Sequence, residues 1–345
     1  MFGAGASFDS APSHAPADRR STSGGLDRFR PPLADELFEE RPEFAAVAAR
    51  LPKLLPIIPY LRTPQNGSVE LELENIRREG KKNPEKLRQL TSVRFYLQWV
   101  IWNCQSEWQR QIFEATNYRT LIDQIGSVRE GERVCFVTFN YDTLLEEAFT
   151  SFNREFESMD AYTSNNDYIV VKLHGSMNWV RHLKPDSSMR IDKDRVGMAN
   201  EVIEVANMLD ISAEYSFVPK SEGSNLPVSF INNRVVYPAI AIPVQKKDRF
   251  ECPLGHLEAL KKSIPETRKL IIIGWRGAED NFLSLLSNGL QREIPIMIVS
   301  SGKASATKIM SVFGKSGMRT QSYQVAEGGF TNFVRSRGVM EFIRE

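Results

Sequence analysis

Apolar positions along this chain follow two rhythms: short unbroken runs, and longer stretches with helical spacing. Arg133-Val-Cys-Phe-Val-Thr-Phe139, Tyr168-Ile-Val-Val-Lys-Leu173, Lys269-Leu-Ile-Ile-Ile273 and Pro295-Ile-Met-Ile-Val299 have strand length and are mostly β-branched or aromatic. Such runs suit strands buried on both faces of a parallel sheet. Val235-Val-Tyr-Pro-Ala-Ile-Ala-Ile-Pro243 is extended and punctuated by proline. Over 85–117, Leu87, Leu90, Val93, Leu97, Val100, Ile101, Cys104, Trp108 and Ile112 recur mostly every three or four positions. That spacing predicts one long helix, with Trp99 and Trp102 beside the stripe as packing residues. Further helices are predicted near 43–51, 69–79, 143–149, 255–263, 280–289 and 330–342, and one opening at Leu33 with Asp35 as N-cap.

Buried strands alternating with helices predict an α/β fold, Rossmann-like, with a mostly parallel sheet. The expected organisation is a single domain over 1–345, with a helical insertion at 33–128 and a smaller irregular lobe or insertion at 177–234. Residues 9–32, rich in Ser, Ala, Pro, Gly and Arg, predict a long mobile loop, read as a flap that orders over a ligand.

The four runs end in small or polar residues: Asn140-Tyr-Asp142, His174-Gly-Ser176, Gly274-Trp275 and Ser300-Ser-Gly302. In open α/β sheets ligands bind just beyond the carboxyl ends of strands. Each residue also has a structural reading: His174 as a hydrogen-bonded strand end, Asn140 as a turn residue, Asp142 as a helix cap. The opening Met1-Phe-Gly-Ala-Gly-Ala-Ser7 has the form of a phosphate-cradling turn. The strand expected before it is reduced to Met1 and Phe2, so the start is either truncated or an ordinary terminus.

With 44 Lys plus Arg against 43 Asp plus Glu, the chain has no overall attraction for nucleic acid or anionic membrane. The three cysteines, Cys104, Cys135 and Cys252, are too few and too scattered for a disulfide framework or a four-cysteine zinc site. No metal site is expected. With no apolar run of membrane-spanning length and no secretory leader, a cytoplasmic location is expected.

Gly3-Ala-Gly-Ala-Ser7, Thr138-Phe-Asn-Tyr-Asp142, Leu173-His-Gly-Ser176 and Ile273-Gly-Trp275 resemble, in that order, the signature motifs of the sirtuin-like superfamily. Pro31-Pro-Leu-Ala-Asp-Glu-Leu37 and the segment from Pro238 to Lys246 resemble the branch found in bacterial defence proteins. The resemblance implies NAD+ as substrate, with Gly3, Ala4, Gly5 and Ser7 at its pyrophosphate. It puts Asn140 and Asp142 at the nicotinamide ribose, His174 acting beside that ribose, and Gly274, Trp275 and Ser300 toward the adenosine half. The sirtuins that deacylate proteins usually carry a four-cysteine zinc ribbon, which this chain cannot build. The resemblance therefore implies the NAD-hydrolysing branch: an NAD+ glycohydrolase depleting NAD during phage infection, acting as a homo-oligomer or with a separate activating subunit. A protein deacylase or ADP-ribosyltransferase, and a non-catalytic sensor binding NAD or ADP-ribose, are the alternatives.

Overall fold

The computed structural model describes residues 1–345 except 17–24, 66, 114, 185–190, 220–226, 246–248 and 319. The strands are β1 (Val134–Thr138), β2 (Tyr168–Lys172), β3 (Gly175–Leu183), β4 (Ile211–Phe217), β5 (Phe230–Ile231), β6 (Arg234–Ile240), β7 (Leu270–Ile273), β8 (Ile294–Val299) and β9 (Thr320–Ala326). β1 pairs in parallel with β2, and β7, β8 and β9 form a second parallel set in that order. Phe2 joins the two sets, bridging Thr138 on one side and Ile273 on the other, both in parallel. Its N–H donates to Val137 O at 2.8 Å and its carbonyl accepts from Phe139 N at 3.1 Å. Ile273 N donates to Met1 O at 2.9 Å, and the Met1 ammonium donates to Ile271 O at 2.7 Å. Two residues thus do the work of a middle strand. The chain leaves this position for β1 and β2 on one side and returns to β7, β8 and β9 on the other. That reversal of strand order is a topological switch point, where open α/β sheets bind ligand.

The apolar runs bury both faces, as their unbroken pattern predicts. Phe136, Val170, Ile273, Met297 and Val299 pack with Tyr118, Leu121, Ile122, Phe330 and Phe342 on one side. Val137, Val171, Ile272, Ile296 and Ile298 pack with Leu260, Phe282, Leu286, Ile309 and Phe313 on the other. Side chains on successive strand residues point to opposite faces, so each run feeds two cores.

The region expected to be an irregular lobe is better ordered than its composition suggests. β3 pairs antiparallel with β4 and β6 in a four-stranded sheet of order β4-β3-β6-β5, and Arg195–Glu204 is a helix. This sheet packs on the 28-residue helix Pro84–Gln111 through a third core that includes Tyr96, Val100, Met177 and Tyr237. Gly175 is the pivot between the sheets. It has φ of +77°, and a Cβ there would stand 1.8 Å from Ala239 O, so only glycine lets β2 turn directly into β3.

Several boundaries differ from the sequence reading. The long helix stops at Gln111, and Asn117–Val128 is a separate helix capped by Thr116, whose hydroxyl accepts from Arg119 N. Asp35 is not an N-cap. Ala34–Glu36 is one 3-10 turn, and the Glu36 carboxylate reaches back to Leu33 N at 3.0 Å. The final helix is two, Gly329–Arg335 and Gly338–Arg344, broken where Arg337 takes φ of +58°. The helix Lys303–Lys315 and strand β9 were not foreseen. The flap expected at 9–32 lies partly outside the described residues. At its described ends Ser10 and Arg30 are buried, and Arg30 donates to Phe8 O (2.7 Å) and His14 O (2.9 Å).

Candidate functional site

A cavity of roughly 960 Å³ opens above the carboxyl ends of the parallel strands. Every site residue expected from the sequence lines it except Ser300. Its size is that of a pocket for a large small-molecule ligand. Ser300 follows β8, but its hydroxyl donates to the Gly302 carbonyl at 2.9 Å and its backbone is tied to Ala326 and Gly329. It is a turn residue in this structure.

The glycine turn is built differently from a simple cradle. Gly3 N donates to Ile273 O and Gly5 N to Gly274 O, both at 3.0 Å. A Cβ on Gly3 would lie 2.6 Å from Trp275 Cα, and one on Gly5 would lie 2.9 Å from Gly274 Cα. These glycines are required first by contact between the opening turn and the loop after β7. The two loops form one interlocked cavity floor, with the residue after Gly3 and Ser7 facing the space.

The loop after β1 is fixed from several directions. Asn140 N donates to Thr138 Oγ1 at 3.1 Å, Met177 N to Tyr141 O at 2.8 Å, and the Tyr141 hydroxyl to Ala241 O at 2.8 Å. The Asn140 amide nitrogen donates to Ser7 Oγ (2.9 Å) and to the Tyr118 hydroxyl (3.1 Å). Its oxygen, Oδ1, is buried and has no partner in the protein. An unsatisfied buried acceptor is costly, and one lining a cavity is a position for a ligand hydroxyl or water. The site thus offers an acceptor to a ligand that carries a hydroxyl.

Asp142 serves the same network from below. Its carboxylate accepts from Leu144 N at 3.2 Å, capping the following short helix, and from the Ser7 hydroxyl. Burial raises its pKa, and the Lys172 charge with the Ser7 bond opposes that rise. Lys172 is fully buried, donates to Asp142 O at 2.5 Å and pairs with Glu146 at 2.9 Å.

His174 is buried between Phe139, whose ring centroid is 5.1 Å away, and Tyr141 at 6.4 Å. Its carbonyl accepts from Ala241 N at 2.9 Å. Across the cavity stands Glu279, with Oε1 at 4.0 Å from His174 Nε2. Glu279 was not foreseen, nor was Tyr118. Glu279 stands directly before Asp280, in a segment read only as a helix start. Its place in a loop just after a parallel strand was the available signal. Tyr118 arrives from a helix distant in sequence, and no local pattern marks it.

The burial that encloses the site also quiets the cysteines. Desolvation pushes the Cys104 and Cys252 thiols up to about 12 and that of Cys135 up to about 11, so they are packing residues. Among the described residues no group of three His, Cys, Asp or Glu side chains is placed to hold a metal ion. No described helix is long and apolar enough to cross a membrane.

Strands on either side of a switch point, with polar side chains at their carboxyl ends, define an α/β protein with a cavity placed where such sheets bind ligands. The family model described as SIR2-like domain matches residues 134–200, the stretch that carries β1, Asn140, Asp142, β2 and His174. This part of the chain is similar to SIR2-like domains, which supports the sirtuin-like superfamily and an NAD-related function in general. No curated protein matches the chain.

Proposed function

We propose that this protein is an NAD+ glycohydrolase that releases nicotinamide and ADP-ribose. The observation that carries the proposal is the meeting of His174 with the unpaired Asn140 Oδ1 in one cavity at the switch point. Nicotinamide in NAD+ is already a cationic leaving group, so cleavage of its ribosyl bond needs no general acid. The paired carboxylates of ordinary glycosidases are dispensable here. What the site must do is hold the ribose, favour developing positive charge and position a water. Asn140 Oδ1 accepts from a ribose hydroxyl or the water. In its neutral form the His174 imidazole accepts a proton from the attacking water. The carboxylates of Asp142 and Glu279 favour positive charge as it develops. The resemblance of Pro31–Leu37 to bacterial defence proteins supports depletion of NAD during phage infection as the biological outcome.

The test is incubation of the protein with NAD+ and mass analysis of the products. Nicotinamide and ADP-ribose are expected without any added acyl peptide. His174→Ala is expected to lower the rate by ~10²–10⁴-fold in protein that still melts cooperatively. Near-wild-type release by folded His174→Ala protein would remove His174 from the mechanism.

A further inference from the structure

We infer that Glu279 is the acidic partner of His174, orienting its imidazole and stabilising the protonated ring; this rests on the reading of His174 as the base of the site. Glu279 is held through both its backbone and its side chain. Its backbone carbonyl accepts from Phe282 N and Leu283 N, each at 3.0 Å, at the start of the helix Asp280–Gly289. Its Oε2 accepts from Trp275 Nε1 at 2.5 Å. Trp275 is in turn stacked on Phe139, with centroids 5.6 Å apart and planes 15° from parallel, and Phe139 is the ring packed against His174. The aromatic pair therefore spaces the carboxylate from the imidazole. Glu279 Oε1 lies 4.0 Å from His174 Nε2, with the two side chains 15% and 5% exposed. With both side chains largely buried, an opposite charge at this distance is less screened than on the open surface.

Several other polar groups among the described residues near His174 have partners of their own. The Tyr141 hydroxyl donates to Ala241 O, and burial holds it in the phenol form. Glu251 pairs through its backbone beside His174, while its carboxylate meets Arg94, Arg181 and Tyr215. Asp142 bonds Ser7, and Arg276 pairs with Asp35 at 2.8 Å. Glu70 and Asp280 line the same cavity. Glu279 comes within ion-pair reach of the imidazole.

An opposite charge beside histidine favours its charged form, so removing the carboxylate lowers the pH at which His174 titrates. The experiment is an NMR titration of the imidazole signals, with the His174 signal identified by its loss in His174→Ala. In Glu279→Gln, which keeps an oxygen for Trp275, the His174 midpoint is expected to fall by about one pH unit. In Glu279→Asp, whose carboxylate is retained but withdrawn, it should fall by less. The acid limb of kcat/KM for NAD+ should move down in pH with the midpoint. A His174 midpoint unmoved in both variants overturns the inference. Because the midpoint is read without turnover, a shift in the Glu279 variants together with a wild-type protein that does not cleave NAD+ sinks the proposed activity and leaves the pairing standing.

Discussion

Asn140 divides its two ends between structure and chemistry. Its amide nitrogen holds Ser7 and Tyr118, and its oxygen stands buried and unpaired at the cavity wall. Asn140→Ala removes both, so activity and stability must be read on the same sample. Losing a buried hydrogen bond to a substrate hydroxyl and leaving its partner unsatisfied costs about 1–3 kcal/mol, or roughly 5–150-fold in turnover. The expected result is a fall of that size in nicotinamide release at a temperature where melting shows the variant fully folded. A fall explained entirely by the unfolded fraction would leave Asn140 a structural residue. The positions of Asn140 and His174 were legible because each follows a short apolar run, and strand ends in such sheets face the ligand. What Asn140 bonds to was not, because Ser7 and Tyr118 come from separate elements and meet only on folding.

At the level of elements, the site depends on the glycine contact between the opening turn and the loop after β7. Gly274 has φ of +61°, and a Cβ there would stand 2.2 Å from Ala6 N, which is backbone and cannot rotate away. Gly274→Ala thus combines a strained dihedral with a steric clash and is expected to destabilise the fold by about 2–4 kcal/mol. Denaturant unfolding checks this, and a loss under 1 kcal/mol would show that the loops part easily. The element types at β1, β2, β7 and β8 were legible because buried parallel strands read as unbroken apolar runs. β4 was missed although Ile211-Ser-Ala-Glu-Tyr-Ser-Phe217 alternates apolar and polar, since that signal is short and lies in polar surroundings. β9, Thr320-Gln-Ser-Tyr-Gln-Val-Ala326, is the last strand of its set among the described residues, and a polar strand with no buried position has little periodicity to read.

Across the whole molecule, His174 and Gly175 join a parallel sheet to an antiparallel one, so the site and the packing of the two sheets are mechanically linked. His256 reports on that packing. It lies in the helix Leu254–Ser263, buried with its ring 5.3 Å from Trp179 of β3 and 5.2 Å from Tyr162. Its Nε2 is 2.9 Å from Met159 O, so in the neutral ring Nε2–H donates there, while Nδ1 is buried with no partner. Burial lowers its pKa below the ordinary 6.5. The unfolded chain therefore binds this proton at a higher pH than the folded protein does. Stability is lost as pH falls from about 6.5 toward the folded pKa, with each unit of difference worth about 1.4 kcal/mol. Asp9, Glu36, Asp142 and Glu146 act in the opposite sense, because burial raises their pKa values and acidification relieves their buried charge. The net slope of the wild type mixes the two, so the comparison must be made within a variant. His256→Phe keeps an aromatic ring against Tyr162 and Trp179 but carries no titrating group. It is expected to lower Tm modestly at pH 7.5, through loss of the Met159 contact, and to lose less Tm than the wild type on going to pH 5.5. A pH series of thermal melts decides it: parallel curves for the two proteins would mean that His256 takes up its proton in the folded state as readily as in the unfolded one.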